Sequence, residues 1–213
     1  NKELGNIISV EGIQFSNPRR RLPRWYNALP GGLFFDESPH LLYMIDRLCK
    51  NELKLRSVMS LPSPNNENTP AMVSAAFSDT AGLPVRLSMN FSAALSEWFV
   101  TVAGTEGTGM VDLFRDIYVR LPNDGLHTAK DVIATSLKFS LQHWRGYLVP
   151  GLQHVRGSCL YGNLEVFRRF FEACRVRQGP EFIDSRSARR VLGLQLQIIA
   201  ELEQPAGINL HCP

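Results

Sequence analysis

Asp36 and His40 stand four residues apart, just after a pair of glycines, in Pro30-Gly-Gly-Leu-Phe-Phe-Asp36-Glu-Ser-Pro-His40. If the segment opens a helix, the two side chains share one face. The positive end of a helix favours the neutral form of an imidazole, and a neutral imidazole accepts a proton from an alcohol as hydride leaves carbon. A carboxylate beside it fixes the tautomer and stabilises the imidazolium that forms. The pair therefore fits alcohol–ketone redox chemistry. An aspartate at a helix start also serves as a plain cap, with the histidine an ordinary surface or core residue. Both readings are open at this point.

The residues just upstream suit a ligand. Gly31 and Gly32 allow the backbone to approach one closely. Arg19, Arg20, Arg21 and Arg24 precede Trp25 and Tyr26. Arginines there could hold a carboxylate or phosphate, and the rings could stack on a sugar or base. Arg24, Trp25, Tyr26, Gly31 and Gly32 are thus candidate substrate-binding residues. A solvated loop, or an arm on a neighbouring subunit, is the alternative.

Other candidates carry less. His127, His143 and His154 have no metal-ligand spacing, and Ser158 and Cys159 have no visible base. The glycines from Gly104 to Gly109 lie between two strands with no lysine following, so they read as a hairpin rather than a phosphate cradle.

Elements of the right kind flank the Asp36–His40 stretch. Ile7 to Phe15 reads as a strand, and Asn17 to Gly32 as a long loop. A helix is expected from about Asp36 to Lys50, capped by Asp36, or by Ser38 with Pro39 at the first helical position. Strands follow over 53–60, 72–78, 85–93, 98–103, 110–113 and 117–121, most of them joined by turns too short for a parallel crossover. An Asn- and Pro-rich stretch, 61–70, interrupts them. Helices are expected over 129–144, 161–177 and 184–203, with apolar stripes at Val132, Ile133, Leu137 and Leu141 and at Val166, Phe167, Phe170, Phe171 and Cys174. The order predicts one α+β domain over residues 1–213: an open, mainly antiparallel sheet of about six strands, helices on one face, the other face available for homo-oligomerisation.

Composition agrees with a globular domain: 213 residues, 44% hydrophobic and 20% charged. A net charge of +3 does not point to nucleic acid, and no apolar run reaches the ~20 residues of a membrane span. Four widely spaced cysteines form no zinc or disulfide framework and read as free thiols in a reducing, cytoplasmic setting.

The order of these motifs resembles the C-terminal domain of the glucose–fructose oxidoreductase / inositol dehydrogenase / MocA (Gfo/Idh/MocA) family. Members carry a glycine-rich turn and then Asp-x-Gly-x-His opening a helix. Here that pattern is Gly31-Gly32, then Asp36-Glu37-Ser38-Pro39-His40, with Ser38 in place of the glycine and a proline in place of one glycine of the turn. Asp46, the Val102–Gly109 hairpin, the Asp112 strand and the closing EVFRRFFEACRVRQGPEFIDSRSARRVLGLQLQII resemble the family as well. The resemblance implies His40 as proton acceptor or donor, assisted by Asp36, and a sugar or polyol substrate. It also implies NAD or NADP, bound mainly by an N-terminal dinucleotide domain whose glycine fingerprint and glutamate-lysine-proline motif do not occur in this chain. A non-catalytic binding or assembly module derived from the family is the alternative reading.

Overall fold

In the computed structural model, residues 3–20, 22, 24–64, 66, 68–157, 163–176 and 184–203 are described. Among them, seven strands form one sheet: β1 (Ile7–Phe15), β2 (Leu53–Leu61), β3 (Met72–Asp79), β4 (Pro84–Asn90), β5 (Glu97–Gly104), β6 (Gly107–Asp112) and β7 (Ile117–Pro122). The sheet runs in the order β2-β3-β4-β1-β5-β6-β7. Every pair is antiparallel except β1–β4, where Val10 stands opposite Val85 and Phe15 opposite Asn90. This is the α+β architecture expected, and its seven strands fall on the seven segments that read as strands. The parallel pair arises because β1 enters the middle of a sheet otherwise built from consecutive hairpins.

Helix α1 (Leu33–Leu48) covers the centre of one face. Its Leu41, Leu42 and Ile45 are fully buried against Val10, Val73, Leu87 and Met89. Each such side chain contributes roughly 1.5–3 kcal/mol of transfer free energy. Gly12 of β1 lies beneath the helix, where a Cβ would stand 3.1 Å from Ile45 Cγ2, so even a methyl there would require Ile45 to shift by a few tenths of an ångström.

Three helices follow the sheet: α2 (Ala129–Val155), α3 (Asn163–Val176) and α4 (Ser185–Leu202). α4 packs on α1 and β2, burying Val191, Leu194, Ile198 and Ile199. Asp184 is its N-cap and accepts from the Ser187 N–H at 2.6 Å. Arg190 forks onto the buried Asp46 carboxylate at 2.6–3.0 Å and ties α4 to α1. α2 is the exception to helices on one face. It lies along β7, whose buried Ile117 and Val119 point away from the α1 side of the sheet. It is also longer than its sequence pattern indicated. The apolar residues expected to face a core on α2 and α3 are exposed: Ile133, Leu137 and Leu141 on one, Phe167, Phe170 and Phe171 on the other.

Candidate active site

Helix α1 starts three residues earlier than expected. Its N-cap is Gly32 (φ 58°, ψ −125°), not Asp36 or Ser38. A glycine cannot cap with a side chain, so the cap comes from elsewhere: Thr69 Oγ1, from the loop between β2 and β3, accepts the Leu33 N–H at 2.9 Å. The space a side chain would need at Gly32 is already filled, since a Cβ there would stand 2.1 Å from Thr69 Oγ1. Gly31 (φ 70°) shares the left-handed backbone. The two glycines serve this turn and the close approach of Thr69, which gives them a reason independent of any ligand.

The same loop orders the segment before the helix. Asn68 Nδ2 donates to the Asn27 carbonyl at 2.7 Å, and Asn66 Nδ2 to Asn27 Oδ1 at 3.0 Å. Asn66 Oδ1 in turn accepts the N–H groups of Asn68 and Thr69. Residues 24–28, expected to be irregular, form a short 3₁₀ helix, η1 (Arg24–Ala28), held by these asparagines. Trp25 on η1 is exposed, whereas Tyr26 packs against the core. Arg21 and the side chain of Arg24 lie outside the described residues.

Arg20 is committed to the interior and is not a free anion-binding group. Its guanidinium pairs with Glu37, which is buried in the first turns of α1. Glu37 also receives Gln14 Nε2 and the Ser16 hydroxyl, from β1 and the residue after it. Satisfying a buried carboxylate from three sides removes most of its desolvation penalty. It also fixes the rotation of α1 about its axis.

With that rotation fixed, Asp36 and His40 lie one helical turn apart on the side of α1 away from Leu41 and Ile45. Asp36 is half-buried and His40 exposed. Neither forms a hydrogen bond or ion pair with a described residue, so both polar ends are uncommitted. The His40 ring leans on Trp98 of β5, with centroids 5.7 Å apart and planes tilted by 41°. Trp98 leans in the same way on Phe114, at 5.7 Å and 39°. Sequence reasoning missed Trp98. The only signal was an aromatic at the start of a strand, and its place beside α1 follows from β5 pairing with β1, Trp98 opposite Gln14.

Ser38 and Pro39 depart from the family's helix opening, and α1 absorbs both. Pro39 sits inside the helix and supplies no N–H to the Phe35 carbonyl. Gln195 of α4 donates Nε2 to that carbonyl at 2.6 Å and to Ser38 Oγ at 2.8 Å. Ser38 and the carbonyl that Pro39 leaves without its helical donor therefore both face the α1–α4 interface.

No cluster of three or more metal-ligating side chains occurs among the described residues, and none of the helices searched is long and apolar enough to cross a membrane. A cavity of about 410 Å³ opens at the far end of α1, lined by Leu48, Lys50, Asn51, Asp79 and Pro84 among others. Its Asp79 is occupied by the Asn51 side chain and by the N–H groups of Ala81 and Leu83.

No protein-family model and no curated protein matches the sequence. Solved structures do match its fold. The MviM dehydrogenase of Clostridium difficile aligns over 93% of this chain and 56% of its own, with a TM-score of 0.60 at 10% identity. UDP-N-acetylglucosamine 3-dehydrogenase GnnA of Acidithiobacillus ferrooxidans aligns over 94% and 55%, with a TM-score of 0.60 at 14% identity. The fold is that of the C-terminal domain of Gfo/Idh/MocA-type dehydrogenases. Levoglucosan dehydrogenase, solved with NADH, aligns over 60% of this chain at a TM-score of 0.50 and 15% identity. The chain spans little more than half the length of the first two dehydrogenases. At these identities the likeness is one of fold.

Proposed function

We propose that this chain is the substrate-binding domain of an NAD(P)-dependent oxidoreductase that acts on a hydroxyl group of a sugar or polyol. The observation that carries the reading is the exposed, uncommitted imidazole of His40, braced by Trp98 and one helical turn from an equally uncommitted Asp36. The fold shared with dehydrogenases, a UDP-N-acetylglucosamine 3-dehydrogenase among them, supports it.

The residues fit one half of such a reaction. No G-x-G-x-x-G turn exists in the chain to hold a dinucleotide. An accessible proton acceptor is present, which is what a hydride-transfer site requires of its second component. The nicotinamide, held mainly by a dinucleotide domain, supplies the hydride acceptor. Within this chain, His40 takes the hydroxyl proton as the carbonyl forms and returns it in the reverse direction. Asp36 steadies the imidazolium or binds a neighbouring hydroxyl. In this reading the exposed Trp25 of η1, together with Arg24, contacts the rest of the substrate. Tyr26, Gly31 and Gly32 shape the segment that carries them.

The test is His40→Ala in the full-length enzyme, assayed for nicotinamide reduction across a panel of sugars, polyols and sugar acids. Turnover should fall by about 10²–10⁴, the usual worth of a general acid–base, with a smaller change in KM. Undiminished turnover would remove His40 from the mechanism.

A further inference from the structure

Helix α1 sets where His40 lies but not how its ring is turned. An imidazole base is usually oriented by a hydrogen bond from one ring nitrogen to a carboxylate or carbonyl. His40 makes none with a described residue, and Asp36, one turn away, is equally uncommitted. What bears on the ring is Trp98 of β5, at 5.7 Å between centroids and 41° between planes.

Trp98 is itself firmly held. Its backbone pairs with Gln14 of β1, and its carbonyl accepts the Leu113 N–H at 3.0 Å. Its indole N–H is buried and has no hydrogen-bond partner among the described residues, so it meets His40 and Phe114 through its rings alone. Phe114 belongs to the turn between β6 and β7, and charges pin that turn. Asp112 Oδ1 accepts the N–H groups of Phe114 and Arg115 at 3.1 and 3.0 Å. Arg115 bridges Asp112 and Glu97 of β5 at 2.5–2.6 Å. Both carboxylates are buried, so removing the guanidinium would leave them uncompensated. The proposed chemistry does not use these charges directly. They supply a rigid support behind Phe114 and Trp98.

We propose that Trp98 is the positioning residue for His40, an inference that rests on the reading of His40 as the acid–base. Held by its face, the imidazole keeps both nitrogens open. One takes the proton of the substrate hydroxyl while the hydride passes to the nicotinamide. The other gives its proton to water, since His40 is exposed. A ring tied through one nitrogen to a carboxylate would have a single nitrogen for both transfers.

A double-mutant cycle in the full-length enzyme tests this, with Trp98→Leu and His40→Ala made singly and together. The substrate is the compound of the sugar and polyol panel that the parent enzyme turns over fastest. Trp98→Leu should lower kcat about 10-fold or more with KM within about 3-fold, as misorientation of a base does. Trp98→Phe keeps a ring and should recover most of the loss. In the His40→Ala background Trp98→Leu should lower kcat no further, whereas a merely structural role would lower it in both. Phe114→Leu, which removes the support and leaves Trp98 in place, carries the same cycle should Trp98→Leu not fold. Equal losses in the two backgrounds overturn the inference. So does an unchanged kcat in Trp98→Leu where His40→Ala lowers it, which leaves the acid–base reading standing. A kcat that His40→Ala leaves unchanged overturns both.

Discussion

Gln195 of α4 donates to the carbonyl of Phe35 in α1 at 2.6 Å, replacing the helical N–H that Pro39 lacks. The donor lies 160 positions along the chain from its acceptor, yet it repairs a defect within one turn of a helix. Gln195 is 1% exposed, so its loss would leave the Phe35 carbonyl and the Ser38 hydroxyl without this donor. Gln195→Leu should cost about 2 kcal/mol by the usual penalty for a buried unsatisfied group. Urea unfolding measures it. Pro39→Ala restores a local N–H, so the double variant should be less destabilised than Gln195→Leu alone.

Gly32→Ala should damage both the fold and the site. The residue has φ near 58°, and its Cβ would overlap Thr69 Oγ1, which caps α1. Backbone strain of this kind costs about 1–3 kcal/mol, with loss of the cap in addition. The expected result is a lowered Tm, with lower turnover in the full-length enzyme because Asp36 and His40 hang from this helix start. Thr69→Ala should lower the Tm as well, through the loss of about 1 kcal/mol of stability. An unchanged Tm in both variants would remove Thr69 as the cap.

The cysteines should differ in reactivity. Burial, with Asp46 and Asp79 adding to it, pushes the Cys49 thiol up to about 12, so almost no thiolate forms near neutrality. Cys174 is exposed. Iodoacetamide at pH 8 followed by peptide mass mapping should show Cys174 alkylated well before Cys49. Asp46→Asn removes one of the charges that disfavour the Cys49 thiolate and should speed its alkylation.

Asp79 should contribute to the acid sensitivity of the fold. Its carboxylate is held below the ordinary range, first by the Asn51 side chain and then by the backbone N–H groups of the β3–β4 turn. A group whose pKa is depressed on folding stabilises above its unfolded pKa, about 3.9, and loses that contribution as pH falls through the lower folded value. The stability gap between the parent protein and Asp79→Asn should therefore be largest above about pH 5 and narrow toward pH 3. A gap independent of pH would contradict this.

Much of the fold was legible because its signals are local. Strands β1 to β7 alternate or run β-branched between turn residues, α4 is announced by its Asp184 cap, and the Gly104–Gly107 hairpin is set by turn chemistry. The helix start was misplaced because capping was sought in the chain next to the helix, whereas the capping hydroxyl comes from Thr69, 36 positions on. Arg20 read as a free cation because its partner Glu37 was indistinguishable from a surface residue until α1 was docked on β1.

The sequence alone determined the classes of element, their order, and the one stretch where a carboxylate and an imidazole share a helical turn. These depend on nearest-neighbour backbone preferences and on hydrophobic period, which are properties of short segments. Only the tertiary structure decided which side of each helix meets the sheet. It placed His40 outward against Trp98, and turned Ser38 and the Phe35 carbonyl toward Gln195. It also turned the apolar side of α2 away from β7. Those choices rest on contacts between residues far apart in the chain, whose free energies exist only once the sheet has brought them together.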